Sequence, residues 1–109
     1  WETIFSGWLE VSNLNERDAI LVLSVGGGDR ERNISTNIVA AIELSRARNA
    51  MVFGIVGSST GYTALNGDTV VVIPEIQPNK RTPYSEAYQA VVWHCLVSHP
   101  DLQVSKTKW

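Results

Sequence analysis

Three short, continuous apolar runs constrain this chain more than any other feature of its sequence. They are residues Ala19–Ser24, Met51–Val56 and Thr69–Ile73. Glycines follow the first two runs closely, and Pro74 closes the third. Apolar runs of this kind are typical of strands that are covered on both faces, as in parallel sheets. We therefore expect three parallel strands with both faces buried.

Helical patterns separate and flank these strands. Helices are predicted over residues 3–11, 35–48 and 82–98, with a short helical turn ending near Leu65. In the last helix Thr82 is the predicted N-cap and Pro83 the first helical residue, where a missing amide proton costs least. The proline-rich stretch 74–83 is predicted to be a loop. This order of elements predicts a three-layer α/β/α, Rossmann-like fold.

The length of the chain limits it to one domain. It has 109 residues, enough for one small domain but not for two. We expect a single domain over residues 1–109, with a loose tail from about residue 100. The start at Trp1 predicts a fragment. Because about three helices are too few to cover both faces of the sheet, the chain is expected to pair with missing sequence or another subunit.

Composition and charge exclude several classes of partner. The chain is 44% hydrophobic and 18% charged with a net charge of -2, which predicts a folded protein without a basic stripe for nucleic acid. No apolar stretch approaches the ~18 residues of a membrane span. We expect a cytoplasmic location, which the single cysteine, Cys95, fits. Its apolar neighbours predict a buried structural thiol rather than a nucleophile.

The glycine loop after the first strand is a candidate anion site. Ser24 leaves the strand, Gly26–Gly28 follow, and a helix begins near Ser35. Glycines let backbone amides approach an anion, and a helix start offers free amides, so a phosphate held here needs no lysine. The alternative is a turn that is glycine-rich for steric reasons alone. Glu31 breaks the dinucleotide fingerprint, and Gly-Lys-Ser/Thr of a P-loop is missing.

Two titratable residues share one edge of the last helix. Glu86 and His94 lie eight residues apart, just over two turns. A proton-transfer pair is one interpretation. The alternative is a favourable acid in the first turn and a histidine that satisfies a backbone carbonyl. His99, next to Pro100, is expected at the surface.

Three segments carry a recognisable pattern: Ile20–Ser24, Asn37–Ile42 and Val52–Gly57. Together they resemble the sugar isomerase (SIS) family, specifically its phosphoheptose isomerase branch. The resemblance extends from Trp1 to about Ser98 and corresponds only to the C-terminal half of a typical member. It implies a phosphate loop formed by Ser24, Gly26, Gly27 and Ser35. An insertion of about six residues lengthens this loop. An arginine of the inserted Asp29–Arg32 has two interpretations, contact with a phosphate or a solvated loop charge.

The resemblance also implies a reaction. Phosphoheptose isomerases interconvert sedoheptulose 7-phosphate and a heptose 7-phosphate, and they carry a polar residue and a histidine at the positions of Glu86 and His94. It implies that His94 acts as acid and base and that both positions help to ligate zinc in some members. Glu86 stands where the family usually has Gln, and its carboxylate is an adequate ligand or proton acceptor. The second proton-transferring group, a glutamate in the family, comes from an earlier helix that this sequence does not contain.

The resemblance also implies that the protein is a homo-oligomer, either a dimer or a tetramer, with sites at the subunit interfaces. The alternatives are a non-catalytic SIS module that binds a sugar phosphate or a protein partner, as in regulators of replication initiation, and an unrelated nucleotide-binding fragment.

Overall fold

A computed structural model describes residues 1–106 and 108 of the chain, and it shows an α/β fold. The elements in chain order are α1 (Ile4–Val11), β1 (Ala19–Ser24), α2 (Thr36–Ala47), β2 (Met51–Val56), α3 (Tyr62–Asn66), β3 (Thr69–Val72), a 3-10 turn (Pro78–Lys80) and α4 (Arg81–Ser98). The predicted strands and helices are therefore confirmed, with boundaries that differ by one or two residues.

The three strands form one parallel sheet in the order β1-β2-β3. The register pairs Ile20 with Val52 and Leu23 with Ile55 across the first two strands. Parallel neighbours need a crossover, and α2 and α3 provide the two crossovers. All three strands therefore end at the same edge of the sheet, which brings the loops after them together.

One face of the sheet is covered by α1, α2 and α3. Leu9, Leu14, Ala41 and Ala50 form a buried apolar cluster there, against which Ile20 of β1 packs. Because side chains alternate along a strand, the even-numbered residues of β1 point to this face. Burial of this cluster holds α1 and α2 against the first strand.

Among the described residues, only α4 covers the opposite face, and it covers it in part. Leu21 and Leu23, on this face of β1, are 51% and 48% exposed, and Val71 and Val72 of β3 are exposed as well. The expectation that all three strands are buried on both faces is therefore wrong for β1 and β3. The physical reason is that a single helix cannot cover a three-stranded sheet, and α4 lies nearest β2 and the end of β1.

Helix α4 differs from the prediction in two further ways. It begins at Arg81, directly after the 3-10 turn, so Thr82 is not its N-cap and residues 74–83 are not a loop throughout. The thiol of Cys95 is exposed, not buried. Only Ser85 and Gln89 of this helix are buried. The apolar residues beyond them therefore have no described element to pack against on that side.

The described part of the predicted tail contains turns and bends but neither helix nor strand. Thr107 and Trp109 of that tail lie outside the described residues. Within the described residues, none of the helices is both long enough and apolar enough to cross a membrane.

Candidate functional site

Hydrogen bonds of the Gly27 backbone connect the glycine loop to the rest of the fold. The Gly27 amide donates to Ser24 Oγ at 3.0 Å, and Gly27 is buried with a φ of 76°. Its carbonyl accepts hydrogen bonds from the amide and the hydroxyl of Thr63, at 2.9 and 2.7 Å. The left-handed φ explains why glycine is needed at this position. Gly27 therefore has a structural role in joining the loop to the start of α3.

The other candidate phosphate ligands differ in how open they are. Ser24 is half-buried, whereas Gly26 and Ser35 are exposed, and an added Cβ at Gly26 would meet no atom within 4 Å. Ser35 precedes α2 in a left-handed conformation and makes no side-chain capping bond. All four predicted residues thus belong to one loop at the sheet edge, but only Gly26 and Ser35 face open space.

The inserted segment folds back on itself and on α2. Asp29 and Ile34 exchange backbone hydrogen bonds at 2.8 and 2.9 Å. The Arg30 guanidinium forms an ion pair with Glu43 at 2.8 Å, and the Tyr62 hydroxyl donates to the same carboxylate at 3.2 Å. Burial, followed by the Glu43 charge, raises the pKa of Tyr62. Arg30 is therefore engaged within the protein.

A single glutamine connects α4 to the ends of two strands. Gln89 is buried, and its Nε2 donates to the carbonyl of Ser24 at 3.0 Å and to that of Ile55 at 2.9 Å. One turn earlier Ser85 is 2% exposed and lies so close to Gly57 that a Cβ at that glycine would overlap it. No role is predicted for these two polar residues from the sequence. Their i, i+4 spacing places them on one face of the helix, and this spacing was the available signal.

We expect Gln89→Met to destabilise the protein by about 1–3 kcal/mol, because the substitution leaves two strand carbonyls without their donor inside the protein. Urea unfolding followed by circular dichroism measures this difference. Tyr88→Met, at the neighbouring position that is 49% exposed, is the matched control and should change stability by less than about 0.5 kcal/mol. Equal midpoints for the two variants would contradict the role assigned to Gln89.

Glu86 and His94 are both exposed and lie at different heights along α4. Glu86 is three residues before Gln89, beside the carboxyl edge of the sheet. His94 lies about 7.5 Å further along the helix axis than Gln89. Its ring stacks on that of Trp93, with centroids 3.9 Å apart. Glu86 therefore lies nearer than His94 to Ser85 and Gln89, the α4 residues that contact the strand ends.

A cleft opens at the carboxyl edge of the sheet, between the ends of β2 and β3. It has a volume of about 330 Å³ and is lined by residues 57–60 and 72–75 and by Arg81. Ser58, Ser59 and Thr60 bring three hydroxyls to it. The sequence places the loops 57–61 and 74–83 at this edge but predicts no binding role for them, although consecutive hydroxyl residues directly after a buried strand were a usable signal.

An apolar groove of about 680 Å³ lies beside β1. Phe5 and Trp8 of α1 line it together with the β1 side chains, and both aromatic residues are exposed, by 44% and 66%. Apolar side chains are thus exposed on both faces next to the β1 edge. An edge strand without charge, proline or a bulge is poorly protected against pairing with another chain.

Comparisons with known proteins give one partial match. No protein-family model matches the chain. It is 30% identical over 93 residues to the lincomycin biosynthesis protein LmbN of Streptomyces lincolnensis, a match that covers 84% of this chain and 32% of that protein. The chain therefore spans about a third of the length of this curated relative.

Proposed function

We propose that the chain supplies part of a sugar-phosphate isomerase site at the carboxyl edge of its sheet. One observation carries the proposal: Gln89 donates to the carbonyl of Ser24, which fixes α4 against the glycine loop. Glu86 follows Ser85 on the same helix and is exposed at that edge. A phosphorylated sugar that contacts the loops would therefore lie within reach of a carboxylate. Ligands of parallel α/β sheets commonly bind at this edge.

The proposed chemistry is an aldose–ketose shift. One proton moves between neighbouring carbons through an enediol, and a second group exchanges protons with the substrate hydroxyls. Glu86 is assigned to the first step because it lies nearest the edge. His94 is assigned to the second, since a histidine accepts and donates protons near neutral pH. Sedoheptulose 7-phosphate is the proposed substrate.

Zinc does not fit the described residues on their own. No cluster of three His, Cys, Asp or Glu side chains exists in the described part of the chain. Glu86 and His94 are only two candidate ligands, and two fall short of the four that a tetrahedral site requires. We therefore derive no catalytic step through a metal.

Assembly of several copies is part of the proposal. Leu21, Leu23 and the α1 aromatics expose apolar surface on both faces of the β1 edge. Contiguous apolar patches of this kind mark interaction surfaces. A homo-oligomer would cover them and would place a second chain beside the candidate site. The match to a biosynthesis protein supports a role in small-molecule metabolism.

The proposal is tested by measuring assembly and turnover on one sample. Sedimentation velocity is expected to show a dimer or larger species. Incubation with sedoheptulose 7-phosphate in deuterated water is expected to show incorporation of deuterium at C1 or C2 by NMR. Isomerisation without assembly would remove the oligomer from the proposal. Assembled protein that incorporates no deuterium would contradict the isomerase function.

A non-catalytic module that binds a sugar phosphate is the second candidate. The observation that favours it is that Gly26 and Ser35 of the glycine loop are exposed at the carboxyl edge of the sheet, whereas His94 lies about 7.5 Å further along the helix axis than Gln89. Saturable binding of sedoheptulose 7-phosphate without deuterium incorporation would support this candidate over the isomerase.

A further inference from the structure

We infer that Gln89 is a positioning residue for the proposed reaction, because its side chain sets the register of α4 on the sheet. The inference rests on the proposed function in taking Glu86 and His94 of α4 as the groups that transfer protons. Both groups belong to one helix, so they move together whenever that helix slides or rotates. A residue that holds the helix in place therefore affects turnover without contacting the substrate.

Apolar packing alone does not fix the register of α4. Val91–Trp93 and Cys95–Val97 are two runs of three successive apolar residues, and each run spreads over about 200° of the helix circumference. A helix with apolar residues on all sides has no single face for burial to select. Among the residues of α4, all of which the structure describes, none after Gln89 is buried. Close packing therefore does not hold the second half of this helix in one position.

The buried amide of Gln89 provides the contact that apolar packing does not. Its Nε2 donates to the Ser24 carbonyl of β1 at 3.0 Å and to the Ile55 carbonyl of β2 at 2.9 Å, so one amide nitrogen bonds two neighbouring strands. A slide of α4 by one residue would move this side chain by about 1.5 Å along the axis and turn it by about 100°. Both hydrogen bonds would then break, and two carbonyls would lose their donor. A single buried polar residue can fix the register of a helix in this way.

The same slide would displace both groups that transfer protons. Glu86 lies three residues before Gln89 and His94 lies five residues after it, on the same helix. Each would shift by about 1.5 Å and turn by about 100° relative to a bound substrate. Since a misplacement of about 1 Å can cost roughly 10²-fold in rate, the alignment of α4 should control turnover.

The glycine loop does not depend on α4 to the same degree. Three of its carbonyls accept hydrogen bonds from backbone amides of the loop after β2 and of α3. The pairs are Val25 with Gly57 at 2.9 Å, Gly27 with Thr63 at 2.9 Å and Gly28 with Tyr62 at 2.7 Å. Because these bonds remain when Gln89 is replaced, binding of the substrate phosphate by this loop should be unchanged. Loss of Gln89 is therefore expected to lower kcat and to leave KM as it is.

The test compares kcat and KM for sedoheptulose 7-phosphate between variants. Gln89→Met keeps the length of the side chain but removes both donors, and it should lower kcat by about 10–10²-fold with KM unchanged. Gln89→Asn keeps the amide on a shorter side chain, so its loss should be smaller. Asp68→Asn is the matched control. Asp68 lies before β3 at the amino edge of the sheet, where its Oδ2 accepts from the Val52 amide at 2.7 Å, so this variant weakens the fold but should keep kcat.

A second measurement follows the position of α4 without any turnover. Cys95, the single cysteine of the chain, is exposed on α4 and can carry a nitroxide label. The label broadens the NMR signals of nearby amides of β1 and β2, so the set of broadened signals reports where the helix lies. This set should be the same in Asp68→Asn as in the wild type. It should change or spread to further amides in Gln89→Met and, to a smaller extent, in Gln89→Asn.

Wild-type kcat in Gln89→Met, or an equal fall of kcat in Asp68→Asn, would overturn the inference and leave the isomerase. An unchanged set of broadened signals in Gln89→Met would also overturn it, even with a lower kcat. Should Gln89→Met fail to fold, the same comparisons are made with Gln89→Asn. A wild-type protein without turnover would remove the isomerase, and the label at Cys95 would still show whether Gln89 sets the register of α4.

Discussion

Replacing His94 with alanine is expected to lower turnover of sedoheptulose 7-phosphate by about 10²–10⁴-fold, the usual contribution of a general acid–base group. The histidine is exposed on α4, where its ring stacks on that of Trp93, so its loss should barely affect stability. Binding of phosphate should also be unchanged, because the residue lies beyond the loops at the sheet edge. Turnover is measured by deuterium incorporation and binding by NMR titration.

His99→Ala is the matched control for this prediction. His99 is likewise exposed, but it lies just past the end of α4, where its Nδ1 accepts from the Asp101 amide at 3.2 Å. The control should retain full turnover. An active His94→Ala protein would end the catalytic assignment of that residue, and equal losses in both variants would indicate a nonspecific effect of removing a histidine.

Gly61→Ala should destabilise the protein by about 3 kcal/mol, at the upper end of the cost of overpacking. Gly61 has an ordinary φ of -70°, so the cost is purely steric. An added Cβ would overlap the carbonyl of Gly26, which is backbone and unable to rotate away. The loops after β1 and β2 would have to separate, and the Tyr62 amide would lose its 2.7 Å bond to the Gly28 carbonyl.

Gly7→Ala provides the matched control. Gly7 lies inside α1, and an added Cβ there would meet no atom within 4 Å. Because alanine is the better helix former, this variant should gain about 0.5–1 kcal/mol. Urea unfolding of both variants measures the difference. A Gly61→Ala protein as stable as the wild type would show that the two loops do not approach each other as described.

The three strands could be located from the sequence because continuous apolar runs are a local property. The same runs did not reveal that β1 is half uncovered. Ile20 and Leu21 are both large and apolar, yet one packs in the α1–α2 cluster and the other is 51% exposed. Which of two such neighbours is buried depends on the number of helices that reach each face, and that number is a property of the whole fold.

The candidate site was predicted less completely than the fold. The glycine loop was located from the sequence. The hydrogen bond from the Gly27 amide to Ser24 Oγ was not predicted, because it depends on where the Ser24 hydroxyl lies. The structural role of Gln89 depends on two carbonyls that are 65 and 34 residues away in sequence. Cys95 lies in an apolar run and is nevertheless exposed, because the buried residues of α4, Ser85 and Gln89, lie in the first half of the helix.

The sequence by itself determined where strands and helices form, because hydrophobic period, glycine and proline act over a few residues. It also determined that the sheet is parallel, since a helical crossover connects each strand to the next. Tertiary structure alone decided which faces are covered, which loop donors remain free and which helix residues contact the strand ends. These features arise from contacts between residues far apart in the chain, and no local pattern records them.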